Sequence, residues 1–385
     1  MTTADAPVVV AAARTPIGTA GHSLAGVPVQ QLGAAVLTAL VDRLGPAGDE
    51  VDDVVLGNCM GPGGNLARLA ALEAGLPDHV PGLTVDRQCA SGLAAIDLAA
   101  QLVRGGARTV LAGGAESAST APWRSWPPVD GGEPVRYERA PFAPADVDLD
   151  MGVANDLLAS EAGVSRVRQD AYAARSHARA VAARESGAFD AEVVAVGGVV
   201  RDDRPRAGLT PDRLARLRPA FVPGGTVTAG NSCGISDGAA AVAVTSAATQ
   251  QRLGLPGLRI LSTATAGVGP ARPGRGLVPA VRLALERAGV GLDDIDAVEL
   301  NEAFAGQVLA CCDELGLDPG RVCPEGGALA LGHPWGASGA VLVVRLFSRL
   351  VTRRQGRLGL AAVAAGGGLG VAMVVESVDA TGEPC

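Results

Sequence analysis

Two distant stretches of this 385-residue chain carry the same parts in the same order, and this internal repeat limits the fold more than any other feature. In the first, a strand-like Val51-Asp52-Asp53-Val54-Val55-Leu56 precedes Cys89-Ala90-Ser91-Gly92. An apolar helix to about Val103 follows, then a strand Thr109-Val110-Leu111-Ala112 ending at Gly113-Gly114. In the second, Ile295-Asp296-Ala297-Val298-Glu299-Leu300 precedes Ala337-Ser338-Gly339, an apolar helix to about Val351, and a strand from Leu358 to Ala365 ending at Gly366-Gly367-Gly368. The gap from first strand to Ala-Ser-Gly is about 33 residues in one half and about 36 in the other. Strand, turn, small-residue helix start and buried strand, repeated, predict a duplicated α/β fold. A composition of 48% hydrophobic residues with 53 glycines gives enough apolar material for one large or two fused domains.

Between the halves, from about Ser119 to Arg218, Pro, Arg and Asp become frequent and only Arg168 to Arg184 is helically patterned, which predicts an inserted loop or lid domain. The expected partition is an N-terminal half over 1–118, the insertion over 119–218, a return segment over 219–249 that completes the first half, and a C-terminal half over 250–385. Trp123, Trp126, Tyr137 and Phe142 lie in the insertion, as pocket lining or as its own small core.

Charge and cysteine usage exclude several classes. A net charge of −8 and a pI near 5.1 leave no broad basic face for nucleic acid. The first residues lack a signal peptide's basic start and apolar core, and no uninterrupted apolar window is long enough to span a bilayer, so a cytoplasmic protein off the membrane is expected. Seven cysteines, none in C-x-x-C pairs and accompanied by four histidines, suggest reduced thiols with neither a disulfide framework nor a metal site. All 32 basic residues are arginines. The best local patch for an anionic ligand is Arg201, Arg204, Arg206, Arg213, Arg216 and Arg218, although Asp202, Asp203 and Asp212 dilute it and also fit a solvated face.

One cysteine has the setting of a nucleophile. In Asp86-Arg87-Gln88-Cys89-Ala90-Ser91-Gly92-Leu93 it sits at a turn directly before an apolar helix. Unpaired N–H groups and the positive end of the helix dipole there are expected to lower the thiol pKa, and the same N–H groups suit an oxyanion. A thiol both attacks and leaves well, so one residue can accept and surrender an acyl group.

Over essentially its full length the chain resembles the thiolases, which form or cleave 3-ketoacyl-CoA by Claisen chemistry. The resemblance rests on Ala13-Arg14-Thr15-Pro16-Ile17-Gly18, Cys89-Ala90-Ser91-Gly92-Leu93, Gly113-Gly114-Ala115-Glu116-Ser117 and Gly225-Thr226-Val227-Thr228-Ala229-Gly230-Asn231. It continues in Asn301-Glu302-Ala303-Phe304 and Gly326-Gly327-Ala328-Leu329-Ala330-Leu331-Gly332-His333-Pro334. It implies a five-layered α/β fold of two duplicated halves with buried central helices, a loop domain between them, and a homodimer or homotetramer. It further implies an acyl-CoA or acyl carrier protein as substrate with no permanently bound cofactor. By the same resemblance Cys89 matches the acyl-accepting nucleophile, His333 the residue that activates it, and Asn301 the holder of a water in one oxyanion hole. The N–H groups of Cys89 and Gly366 match the other oxyanion hole. Cys233, Arg204, Arg206 and Arg218 are the candidate contacts to CoA.

The pattern breaks in one place that matters. Thiolases carry a second cysteine, the acid/base on the α-carbon, in Cys-x-Gly-Gly-Gly. Here Ala364-Ala365-Gly366-Gly367-Gly368 stands in that place, and no cysteine occurs between Pro324 and Pro384. Cys233 replaces the usual serine of Asn-x-Ser-Gly, and Trp335 follows His-Pro where a small aliphatic is usual. Losing a positioned base costs about 10² to 10⁴ in rate. The expectation is therefore an acyl-Cys89 enzyme that serves an acceptor needing no α-deprotonation, by decarboxylative condensation or transfer to an amine or alcohol. The alternatives are an ordinary acetyl-CoA C-acetyltransferase and a non-catalytic acyl-CoA-binding or scaffold subunit.

Overall fold

The computed structural model describes residues 5–137 and 139–385. The strands are β1 (Pro7–Arg14), β2 (Gly18–Thr19), β3 (Val51–Gly57), β4 (Gly82–Val85), β5 (Thr109–Ser117), β6 (Arg124–Trp126), β7 (Val135–Tyr137), β8 (Ser236–Ser246), β9 (Gly257–Gly267), β10 (Ala297–Leu300), β11 (Leu358–Ala365) and β12 (Leu369–Val378). The helices are α1 (Val29–Leu44), α2 (Leu66–Glu73), α3 (Ser91–Arg104), α4 (Met151–Glu161), α5 (Arg166–Glu185), α6 (Pro211–Leu214), α7 (Ala247–Leu253), α8 (Leu277–Ala288), α9 (Ala305–Leu315), α10 (Ala328–Leu331) and α11 (Trp335–Leu346).

Apart from the β6–β7 pair, the strands run in the order β10-β11-β12-β9-β1-β8-β5-β3-β4, with β2 on β8. The two halves meet at β9 and β1, paired only at Val8 with Arg259 and Val9 with Leu258. Each half holds the repeated unit: β3 is parallel to β5 with α3 between them in sequence, and β10 is parallel to β11 with α11 between them.

Alternation along the strands builds the layers. In β8, Ala240, Val242 and Val244 face a central core shared with α3 and α11, while Ala239, Ala241 and Ala243 face α1 and α2. In β12, Val371, Met373 and Val375 face the same central core, while Ala372 and Val374 face α8 and α9. Both faces of both sheets are covered, so the strands read as apolar runs, and helix, sheet, helices, sheet, helix make the five expected layers.

The two central helices touch through backbone. A Cβ on Gly92 would lie 2.8 Å from the Gly336 carbonyl oxygen and 2.9 Å from the Ala340 nitrogen. A Cβ on Gly339 would lie 2.5 Å from the Leu93 nitrogen. The contacts are reciprocal: the glycine of each Ala-Ser-Gly meets the residue after the other. On the same side, a Cβ on Gly114 would come within 2.0 Å of the Gly336 oxygen.

α11 runs directly into a π-type turn over Phe347–Thr352. The 18-residue run Trp335–Thr352 is thereby long and apolar enough to cross a membrane by length and composition, although it is not an uninterrupted apolar window, since Arg345 and Arg349 lie within it. It is 78% buried inside the fold and serves as a core helix. Arg345 is buried and pairs with Glu192 and Glu325. Arg14 Nε donates to Glu192 at 2.7 Å, and its Nη1 and Nη2 donate to Asp202 at 2.7 and 3.0 Å. Asp202 also accepts from the Ile17 N–H at 2.8 Å. A buried charge costs several kcal/mol unless paired, so these carboxylates fix where the insertion attaches to both halves.

The insertion's aromatics divide. Trp126 stacks on Tyr137 at 4.8 Å and Arg136 lies 4.1 Å over Trp123 on the β6–β7 hairpin, where both tryptophans are exposed. That hairpin is neither a pocket nor a core. Phe142 turns inward against Gly366, with its ring 2.6 Å from where a Cβ would stand.

Gly339→Ala tests the helix crossing. Alanine gains about 1 kcal/mol of helix propensity, but the added methyl meets backbone that has no rotamer to escape through, and overpacking of this kind costs about 1–3 kcal/mol or more. The expected result is a net loss of about 2 kcal/mol in urea unfolding. Gly26→Ala, at an exposed glycine with nothing within 4 Å of the added carbon, should match the parent.

Candidate active site

Cys89 stands on a strained elbow between β4 and α3. The preceding Gln88 is left-handed, with φ of 50°, an unusual conformation for a residue with a side chain. Two side chains hold it there. Ser91 Oγ donates to the Gln88 carbonyl at 2.6 Å and accepts from the Arg87 N–H at 2.7 Å, and Cys59 Sγ donates to the same carbonyl at 3.2 Å. The turn projects the thiol into the site while α3 packs behind it.

The N–H groups of Gly366 and of Cys89 itself both point at the Cys89 sulfur and favour its charged form. They do not win. Burial and the neighbouring Cys233 push the Cys89 thiol up to about 12, so the expected lowering by the helix start does not hold in this site. The desolvation of a buried anion outweighs two N–H dipoles.

His333 lies between α10 and α11 and is buried. Its Nδ1 is 2.6 Å from Ser338 Oγ and its Nε2 is 3.4 Å from Asn301 Nδ2. Because the Asn301 amide can only donate there, Nε2 carries a lone pair, Nδ1 carries the proton, and Ser338 accepts it. The ring is thus presented as a base at Nε2. Burial pulls its pKa down to about 4, so it is neutral around pH 7. Asn301 follows β10 and is fixed by its own N–H to the Ala362 carbonyl at 2.9 Å; its Oδ1 is buried with no partner. A donor entering the site finds that acceptor open.

A third segment joins these two. Ser232 bridges to Phe304 and Ile235 to His333, while the His333 N–H donates to Ser236 Oγ at 3.1 Å. The Cys233 N–H donates to the Ala303 carbonyl at 2.9 Å. Cys233 is half-buried beside Asn301 and His333, and the Arg204 guanidinium lies over the next residue, 2.0 Å from where a Gly234 Cβ would be. Arg206 is exposed, with its N–H donating to His177 at 3.3 Å, and Arg218 is exposed farther along the same stretch. Asp202 is not a solvated counterweight to these arginines but the buried partner of Arg14, whereas Asp203 is exposed and accepts from the Thr19 N–H at 2.9 Å.

Two groups around the elbow went unrecognised in the sequence. Glu116 accepts from the N–H groups of Cys59, Met60 and Gly336 at 2.9, 3.0 and 3.0 Å, tying β5 to the N-terminus of α11, and burial raises it to about 6. Ser338 is the other; its only signal is the Ala-Ser-Gly repeat, whose two serines perform different tasks. The remaining thiols lie elsewhere. Cys311 Sγ donates to the Gly274 carbonyl at 3.3 Å, Cys312 is buried beside it in α9, and Cys323 Sγ donates to the Leu300 carbonyl at 3.2 Å behind Asn301. Among the described residues no cluster of His, Cys, Asp and Glu could hold a metal.

Fold and site together define a two-half α/β protein with a cysteine and a histidine presented at paired helix starts. The chain belongs to the thiolase family: residues 7–248 match the thiolase N-terminal domain and residues 254–377 the thiolase C-terminal domain. It is 44% identical to an acetyl-CoA acetyltransferase of Pseudomonas aeruginosa, covering 96% of this chain and 98% of that one. It is 43% identical to one of Escherichia coli, covering 97% and 99%. The crystal structure of the Bacillus anthracis acetyl-CoA acetyltransferase superposes with a TM-score of 0.89 at 38% identity, over 97% of this chain and 99% of that one.

These relatives overturn the expectation of a modified acyltransferase that avoids α-deprotonation. They match nearly end to end at 42–44% identity and are named acetyl-CoA acetyltransferase. The expectation rested on the absence of a cysteine from the Gly-Gly-Gly motif and took Cys233 only as a contact to the CoA arm. Folding brings Cys233 to Cys89 from a distant segment.

With burial pulling His333 down to about 4 and pushing Cys89 up to about 12, both are neutral between those values. Alkylation of Cys89 by iodoacetamide is therefore expected to accelerate about tenfold per pH unit from pH 7 to 9, following the thiolate fraction without a plateau. A rate already flat across that range would mean that a thiolate–imidazolium pair preexists.

Proposed function

We propose that this chain is an acetyl-CoA C-acetyltransferase, joining two acetyl-CoA molecules into acetoacetyl-CoA with release of CoA, and running the reverse thiolysis. The observation that carries the reading is the full-length likeness to acetyl-CoA acetyltransferases combined with a Cys89 sulfur covered by two N–H groups and a neutral His333 whose Nε2 carries a lone pair.

Cys89 takes the acetyl group. His333 Nε2 removes the thiol proton as Cys89 attacks, which creates the thiolate only when an electrophile is present. The N–H groups of Cys89 and Gly366 receive the oxyanion of the acyl-enzyme, and His333 with a water on Asn301 receives the second thioester oxygen. The open Oδ1 of Asn301 supports that water. CoA is a substrate rather than a resident cofactor, with Arg206 and Arg218 directed at its phosphates and Arg204 and Cys233 at the thioester end of its arm. By the same reading Ala364 occupies the place of the family's second cysteine. The chain divides into an N-terminal half (1–118 and 219–249), a loop domain (119–218) and a C-terminal half (250–385).

A homodimer or homotetramer completes the reading. β4 ends the sheet as an edge strand with Leu83 exposed, beside exposed Leu69 and Leu72 of α2, and an open apolar edge of this kind favours pairing.

Thiolysis of acetoacetyl-CoA followed at its enolate absorbance, together with intact mass after acetyl-CoA, tests the proposal. The protein should gain one acetyl group and turn over; Cys89→Ala should do neither. Asn301→Ala should still acylate but lose about 10² to 10³ in kcat, the usual cost of one oxyanion contact. Absence of both adduct and thiolysis in the unaltered protein would refute the reading. Light scattering should return a mass of two or four chains, and a monomer would remove the oligomer.

A further inference from the structure

We infer that Cys233 is the second catalytic thiol of this site, the group that takes the proton from the α-carbon of the incoming thioester in place of the cysteine missing at Ala364. The inference rests on the acetyltransferase reading above and names the residue that makes it chemically complete.

The argument begins with position. Cys233 is fixed by its own N–H to Ala303, two residues past Asn301, and its segment bridges to His333 two residues later. It therefore sits between the two groups that receive the second thioester. Among the ionisable groups acting on the Cys89 sulfur, Cys233 is the strongest, ahead of Glu116. Burial pushes the Cys233 thiol up to about 12, and the Arg204 guanidinium over Gly234 opposes that rise; Arg204 Nε is buried with no partner. The other thiols are placed elsewhere: Cys311 and Cys323 bond to backbone carbonyls away from the elbow, Cys312 lies in the α9 core, Cys59 holds Gln88, and Cys385 is exposed, with its N–H on the Ser377 carbonyl.

The proton balance closes with these residues alone. In the first half-reaction Cys89 gives its proton to His333 and its sulfur bonds to the acetyl carbonyl. The bond to CoA breaks, and CoA leaves as the thiol with the proton of Cys233. That leaves a Cys233 thiolate and a His333 imidazolium. In the second half the Cys233 thiolate removes a proton from the methyl group of the next acetyl-CoA. The resulting carbanion bonds to the acetyl carbon on Cys89, the Cys89 carbon–sulfur bond breaks, and the departing thiolate recovers its proton from His333. Both thiols and the neutral imidazole are restored.

Cys233→Ser, which keeps a small polar side chain against the CoA arm, separates catalysis from lining. Three readouts are compared in the full-length protein: acetyl adduct on Cys89, thiolysis of acetoacetyl-CoA, and exchange of acetyl-CoA methyl hydrogens in D₂O. The variant is expected to form the adduct more slowly but to the parent's final extent, since solvent can reprotonate the departing CoA thiolate, while losing about 10² to 10⁴ in both thiolysis and exchange, the range for removal of a positioned base. Cys233→Ser with Ala364→Cys should recover both, since position 364 lies two residues before Gly366, whose N–H points at the Cys89 sulfur. Exchange and thiolysis at the parent level in Cys233→Ser would overturn the inference while leaving the acetyltransferase reading intact. If Cys233→Ser loses all three readouts and the double variant regains none, the residue is structural and the inference fails. A parent protein without adduct or thiolysis would instead refute the underlying reading.

Discussion

Everything at the centre of this molecule depends on two helices meeting at van der Waals distance through their backbones. The glycines of the two Ala-Ser-Gly repeats face each other reciprocally, Gly92 against Ala340 and Gly339 against Leu93, and Gly114 allows Gly336 to approach β5. This crossing brings the two helix N-termini to one place. Helix starts carry unpaired N–H groups and partial positive charge, so paired starts make a site suited to thiolates and oxyanions. Glu116 uses the same property structurally, accepting from the first turn of α11 and from the strand that leads to Cys59. The active site is a consequence of how a duplicated unit packs on itself.

The buried ion pairs extend that geometry to the insertion. Glu192 is shared between Arg14 of the first half and Arg345 of the helix in the second, and Asp202 closes the other side of Arg14. Breaking such a network leaves an unpaired buried charge, at a typical cost of 3–5 kcal/mol, so the loop domain is positioned by electrostatics as well as by packing. Its contribution to the site follows: Phe142 reaches Gly366, and the stretch after Val200 carries Arg204 to Cys233.

Much of this was legible in the residues. The repeat announced two fused α/β halves, the turn before α3 announced Cys89, and the motif context singled out His333 and Asn301. What escaped was everything that depends on distance across the fold. Nothing local to Gln88 announces a left-handed residue, since the strain is imposed by Ser91 and Cys59 from either side. The lowered thiol pKa expected from a helix start was reversed because burial is a property of the whole assembly. Asp202 looked like dilution of a basic stretch until its partner, 188 residues away, came into view. The functional expectation failed the same way: it weighed position 364 alone, whereas Cys233 and Cys89 belong to segments that only tertiary structure brings together.

The arginines of this site have a chemical consequence beyond charge. Every side-chain cation in the chain is a guanidinium, from the buried Arg14 and Arg345 to Arg204 beside Cys233. An acyl thioester is an electrophile toward amines, and a lysine amine with its pKa lowered by partial burial would be a competent nucleophile for it. A guanidinium stays protonated throughout the range in which enzymes work and offers no free lone pair. Placing Arg204 where an acyl group is handed between thiols thus gives the cationic environment a CoA ester requires without an internal acceptor, and the protein is protected from modifying its own side-chain amines with the group it is carrying.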